Sequence, residues 1–353
     1  MYVCLRLGSE SESQRFDALV CLLLHSLPLL VNITSLGIEA FKIPSFNIAN
    51  FFETITSLPI ARKLQDLSLT GPLEMFEWLW ESSAHNTPFL NLTKLDLSLY
   101  RYNSIKEKKP KSKRKLESSL HLEQFVRSVA PTLQYLRIRT RIDLSPLFNA
   151  LLQPLSESDS LFPNLRSLVL RLHFNYSLQS SPLSLRRFLY THTDLHLLHL
   201  DLMTSHIRLD SGNEGPLDAW LAELINNENY QLPSLQTLNV YPSHTPAGFS
   251  PLLSLIERTA PTLSSLKVSQ RYLTDEEAQQ LLNAVVEGKA QVQGRTKESR
   301  TLKRLMMALT TLNVTLFDLL ATTFPELEQL TLWALDTDLV CLFVPTSLLS
   351  LLS

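Results

Sequence analysis

Glycine is scarce in this 353-residue chain, with 8 residues. That argues against glycine-rich phosphate loops, where bare backbone must approach an anion closely. Cysteine is scarcer: Cys4, Cys21 and Cys341 are odd in number and far apart, so no disulfide framework is expected and a reducing compartment is favoured. Neither sign of charge dominates. With 32 Lys and Arg against 34 Asp and Glu the net charge is −2, so no global field draws the chain to nucleic acid or a membrane surface. Catalytic signatures are missing too: no G-x-S-x-G, H-E-x-x-H, P-loop or dinucleotide fingerprint occurs. The expectation is a chain with no catalytic residues, no cofactor and no bound metal.

One apolar run, Ala18 to Ile38, has the length of a membrane span. Within and just before it, Phe16, Leu19, Val20, Leu23, Leu24 and Leu27 recur at helical spacing, which predicts one buried face of an amphipathic helix ending at Pro28. Four N-x-S/T triplets, at Asn32, Asn91, Asn175 and Asn313, are too loose a pattern to indicate secretion.

What is abundant is leucine in one phrase, L-x-x-L-x-L with aliphatic substitutions, which occurs ten times. It begins at Ile33, Leu64, Leu92, Leu133 and Leu165, then at Leu195, Leu235, Leu263, Leu302 and Leu327, with steps of 25 to 41 residues. The alternation inside each phrase has the period of a strand with one buried side. Eight of the ten follow closely on a proline: Pro28, Pro59, Pro88, Pro131, Pro163, Pro233, Pro261 and Pro325. Each such proline ends a helix and extends the chain. Helix starts are predicted at capping residues followed by proline, namely Gly71-Pro72, Ser145-Pro146, Ser181-Pro182, Gly215-Pro216 and Ser250-Pro251. Thr274 with Glu277 predicts a capping box. Between starts and stops, Leu122, Phe125, Val126 and Val129, or Ala278, Leu281, Leu282 and Val285, follow the helical period.

These phrases resemble leucine-rich-repeat proteins of the ribonuclease-inhibitor-like kind. Their lengths and irregularity are similar to the repeat regions of F-box proteins, particularly divergent fungal ones. The resemblance covers about residues 16–335, with 1–15 an N-terminal segment and 336–353 an apolar C-terminal one. It implies an α/β solenoid, a horseshoe with parallel strands on its concave face and helices on its convex face. It also implies non-catalytic protein recognition, in its narrower form as the substrate-receptor part of an F-box-type ubiquitin ligase. A free-standing scaffold or regulator, or a GTPase-activating type of regulator, are the alternatives. The chain departs from the family in two ways. The usual Asn or Cys after each phrase is replaced by Phe41, Pro72, Tyr100, Arg141 and others, so the turns must be satisfied differently. No L-P-x-E-like F-box helix precedes the first phrase. The greasy end, Val340–Val344 and Leu348–Leu352, leads us to expect cover from a partner, a neighbouring domain or a longer product.

In such an arc the residues between and just after the aliphatics line the concave face. The candidate binding residues read from these positions are Tyr135, Arg137, Arg139, Arg171, His199, Asp201, Tyr241, Lys267 and Trp333. Arg, Tyr and Trp are the types that most often carry interface energy. Arg137, Arg139 and Arg171 are expected to receive an acidic or phosphorylated protein partner, since guanidinium grips carboxylate and phosphate two-pronged. Solvated arginines on an open strand are the bland alternative. His192, His196 and His199 are spread along a strand too far apart to form a metal site. The run Lys106 to Lys115 reads as a basic, proline-broken loop, solvated or acting in nuclear import, so the expected location is cytoplasm or nucleus. Further insertions are read around Asp210–Gly215 and from Gly288 to Arg300.

Overall fold

Each leucine phrase folds as a strand because its alternating aliphatics have one side to bury. The computed structural model describes residues 2–7, 22, 25–26, 29, 32–40, 47–72, 76, 79, 89–100, 112–140, 161–174, 183–204, 219, 222–225, 232–240, 246–290 and 301–336. Two compact units divide the chain, Met1–Ser180 and Ser181–Ser353.

The first unit contains strands β1 (Tyr2–Leu7), β2 (Ser35–Ala40), β3 (Asp66–Pro72), β4 (Lys94–Tyr100), β5 (Tyr135–Thr140) and β6 (Ser167–Phe174). Its helices are α1 (Asn47–Ser57), α2 (Pro59–Lys63) and α3 (Ser112–Val129). The strands lie in chain order and every pairing is parallel. Leu36, Leu67, Leu95, Leu136 and Leu168 pair in one row, and Ile38, Leu69, Leu97, Ile138 and Leu170 in the next. All are buried, as are the opening residues Ile33, Leu64, Leu92, Leu133 and Leu165. Each such burial contributes about 1.5–3 kcal/mol. Helices fill the core behind the rows. Phe125 and its α3 neighbours Leu122, Val126 and Val129 are buried at the predicted spacing, and Phe125 meets Phe89 edge to face at 5.9 Å.

The second unit contains β7 (Leu197–Thr204), β8 (Thr237–Val240), β9 (Ser265–Leu273), β10 (Arg304–Thr311) and β11 (Gln329–Asp336). Its helices are α4 (Leu183–Thr191), α5 (Pro246–Thr259), α6 (Asp275–Ala290) and α7 (Val314–Thr323). Again the strands are parallel and in order, with Leu198, Leu238, Leu266, Leu305 and Leu330 in register. Met306 pairs with Lys267 but Ala308 with Tyr272, so β9 carries extra residues and bulges. The bulge sets Arg271 inside, 7% exposed, where its guanidinium pairs with Glu277 and lies 5.5 Å from the Phe249 ring centre. The Thr274–Glu277 capping box is formed: Glu277 N–H donates to Thr274 Oγ1 at 3.2 Å, and Thr274 N–H donates to Glu277 Oε2 at 3.1 Å. Burial fades at the last strand. Leu327, Leu330 and Leu332 are half-buried, while Leu335 is 64% exposed.

Backbone hydrogen bonds tie successive strand entries together. Just before each strand, one carbonyl accepts two amides from the next phrase. Thr34 O takes Gln65 and Asp66 N–H at 2.8 and 3.0 Å, and Gln65, Thr93 and Gln134 repeat the pattern in the first unit. His196, Gln236, Ser264 and Lys303 repeat it in the second. Side chains reinforce these edges: Thr132 Oγ1 donates to Leu92 O and Thr262 Oγ1 to Leu235 O, both at 2.7 Å. Two of the N-x-S/T asparagines serve structure. Asn91 donates to Arg62 O at 2.6 Å, and Asn313 caps α7 by accepting from Leu316 N–H at 2.8 Å.

Several expectations need correction. Tyr2–Leu7 is a strand paired with β2, ahead of the first predicted phrase. Gly71 and Pro72 are the last two residues of β3, and the residues 73–75 that follow lie outside the described ones. Helix α5 begins at Pro246, a proline at the first helical position where its missing N–H costs nothing, so Pro251 lies inside the helix. The basic run is not all loop, because α3 starts at Ser112, two residues after Pro110. Helix α6 runs on to Ala290, so the insertion read from Gly288 opens within it. The Ser145-Pro146 and Gly215-Pro216 starts lie outside the described residues, as does most of the Phe16–Leu27 helix. Among the described residues no helix is long and apolar enough to cross a membrane.

Candidate functional site

Strand alternation leaves a second sheet face, opposite the leucine rows, and its residues are mostly half-exposed. In the first unit, register brings together residues that are far apart in sequence. Lys94 pairs with Tyr135, Asp96 with Arg137, and Ser98 with Arg139. Arg137 in turn pairs with Val169, and Arg139 with Arg171. The register thus places Tyr135, Arg137, Arg139 and Arg171 on one face of β5 and β6.

Asp96 is the acid at the centre of this group. Arg137 Nη1 donates to its Oδ2 at 3.4 Å, and Arg139 Nη2 lies 3.5 Å from the same oxygen. The aspartate side chain is 13% exposed and each arginine 33%. Asp96 Oδ1 and the Nε atoms of both arginines are buried without hydrogen-bond partners among the described residues. Such half-satisfied polar clusters are unusual in folded proteins. Lys94 Nζ stands 5.4 Å from the Tyr135 ring centre, a cation–π distance. Burial pushes the Tyr135 phenol up from its ordinary value of 10.0, the Arg137 charge opposing and the Asp96 charge reinforcing the rise.

Asp96 was read from the phrase as lining this face, whereas Lys94 was not. Lys94 holds the same place in its phrase as Tyr135 does in the next, so the repeat grammar itself carried the signal.

In the second unit His199, Asn239, Lys267 and Met306 pair in sequence across β7 to β10. Asn239 Nδ2 lies 3.4 Å from His199 Nδ1. Lys267 is half-buried and Trp333 is 57% exposed. Asp201 does not belong to the open surface: it is 4% exposed, so a partner cannot reach it there. Strand alternation alone had placed it beside His199, and alternation does not register what covers a position. Tyr241 lies outside the described residues.

The three histidines go three ways. His192 is buried, stacked on Phe188 at 4.0 Å, with Nδ1 2.6 Å from the Phe188 carbonyl, which fixes that nitrogen as the donor. His196 sits in the turn and gives its carbonyl to Gln236 and Thr237. His199 faces the open side. Among the described residues no group of three His, Cys, Asp or Glu is placed to hold a metal ion.

The arrangement can hold an anion and bury aromatic surface. Comparison of the chain with protein-family models gives no match, and comparison with curated proteins gives none either.

Proposed function

We propose that this chain is a leucine-rich-repeat solenoid, a horseshoe whose concave sheet face recognises another protein without catalysing a reaction. Ten phrases forming parallel strands in chain order, with leucines aligned in rows, support the repeat reading. The observation that carries the recognition reading is the open face of β4 to β6, where Arg137 and Arg139 close on Asp96 with Lys94, Tyr135 and Arg171 on the same face. Surface of that composition is typical of interface anchors. A substrate-receptor role in an F-box-type ubiquitin ligase is the narrower form of this reading, and its support is the likeness of repeat lengths alone. Cytoplasm or nucleus as the working location rests on the sparse cysteines and on the basic run.

A photo-crosslinking amino acid placed at Ser98, on this face, and at Glu53, exposed on α1, tests the proposal in source cells. Ser98 should yield a defined protein that rebinds the purified chain, and Glu53 should not. Equal capture from both positions, or none from Ser98, would remove the recognition reading.

A further inference from the structure

The apolar layers stop short at β11. Along the preceding phrase Leu302, Leu305 and Met307 are at most 1% exposed, because strands stand on both sides of β10. Their counterparts Leu327, Leu330 and Leu332 are only half-buried, and among the described residues β11 pairs with β10 alone. The helix layer ends in the same way: Val314 and Phe317, one turn apart on α7, are 65% and 37% exposed. An open sheet edge beside half-covered leucines invites stray pairing, and a solenoid needs its last layer closed. Residues 337–353 follow β11 directly and lie outside the described residues. Their sequence has the order of one more repeat. Leu339, Leu342 and Phe343 stand at helical spacing, Pro345 follows, and Leu348 and Leu351 take the first two places of a phrase. The third place is Ser353, polar where the ten earlier phrases carry an apolar residue.

We propose that the occupant of this end is the chain's own segment 339–352, its aliphatics completing the cover of Leu330 and Leu332 and of the Val314–Phe317 side of α7. Two arguments favour it over a second copy or another protein. The segment is joined to β11 by two residues, Thr337 and Asp338, and so short a tether sets an effective concentration on the order of millimolar. It also carries no charged residue from Leu339 onward, so it needs burial as much as the end of the array needs cover. The end is then closed by the chain itself and is not a seat for a partner. This proposal is independent of the recognition reading, which concerns β4 to β6.

The test places a photo-crosslinking amino acid in the full chain at Phe317, with Glu287, exposed on α6, as the control position. Chains of light and heavy isotope are mixed, and the crosslinked peptides are identified by mass spectrometry. Phe317 should join a peptide from 339–352 of its own chain, and Glu287 should not. Joining to the chain of the other isotope, equal joining from both positions, or none from Phe317 would overturn the proposal. Hydrogen exchange gives a second reading. Leu342→Asp with Leu351→Asp should lower protection at the amides of Leu330 and Leu332 by about tenfold or more, the worth of one buried leucine. Ser350→Asp should leave it unchanged. Protection retained at Leu198 and Leu238 shows that the double variant is folded. In a folded double variant, full protection at Leu330 and Leu332 would count against the segment as decisively as the wrong crosslink.

Discussion

Gly288 tests the helix layer of the second unit. It lies near the end of α6 where that helix crosses α5, and it is buried. A Cβ built there would stand 2.0 Å from the Glu257 carbonyl oxygen and 2.8 Å from the Ala260 Cβ. The obstacle is backbone and cannot rotate aside, so Gly288→Ala must push the two helices apart. Overpacking of this kind costs about 3 kcal/mol at the upper end of its range. Alanine returns about 1 kcal/mol through better helix propensity, leaving a net loss of about 2 kcal/mol. Repeat arrays open piecewise, so native-state hydrogen exchange at the amides of Leu281, Leu282 and Val285 is the direct assay. Their protection should fall about thirtyfold, matching that loss at 1.4 kcal/mol per decade. Glu287→Ala, exposed on the same helix, should leave protection within about 0.5 kcal/mol of the native chain. Unchanged or raised protection in Gly288→Ala would refute the close approach of α5 and α6.

Other outcomes follow from the same geometry. Glu277→Gln removes a negative charge paired with the buried Arg271, and urea denaturation should show a loss of about 3 kcal/mol. Thr274→Ala removes half of the capping box and should lower stability by about 1 kcal/mol in the same assay. Leu136→Ala, in the middle of a leucine row, should cost about 2–5 kcal/mol. Burial raises the Tyr135 and Tyr100 phenols from 10.0, so their contribution is whole below pH 10 and is lost as pH climbs from there through the raised folded value. Tyr135→Phe should therefore flatten part of the alkaline fall in melting temperature.

Features that depend on neighbours in sequence were legible from it. Every phrase from Ile33 to Leu327 became a strand, since alternating aliphatics suffice to choose a face. The Thr274–Glu277 box was equally legible, because its partners lie three residues apart. β1 escaped notice because its Val3 and Leu5, which pair with Leu36 and Ile38, have no opening aliphatic of the phrase before them. Pro251 misled because Pro246 had already taken the helix start. The bond between Arg137 and Asp96 spans 41 residues, so only the register of β4 against β5 brings it about. Asp201 shows the converse limit: alternation assigned its side of the strand correctly, but not its burial.

The most direct measurement of the central claim is capture from source cells with the full chain, native and carrying Arg137→Glu, Arg139→Glu and Arg171→Glu together. Folding of the variant is checked by hydrogen exchange at Leu136 and Leu168. The charge-reversed chain should keep its protection at those amides and lose the protein that the native chain retains. The same partner, recovered in equal amount by both chains, would contradict it.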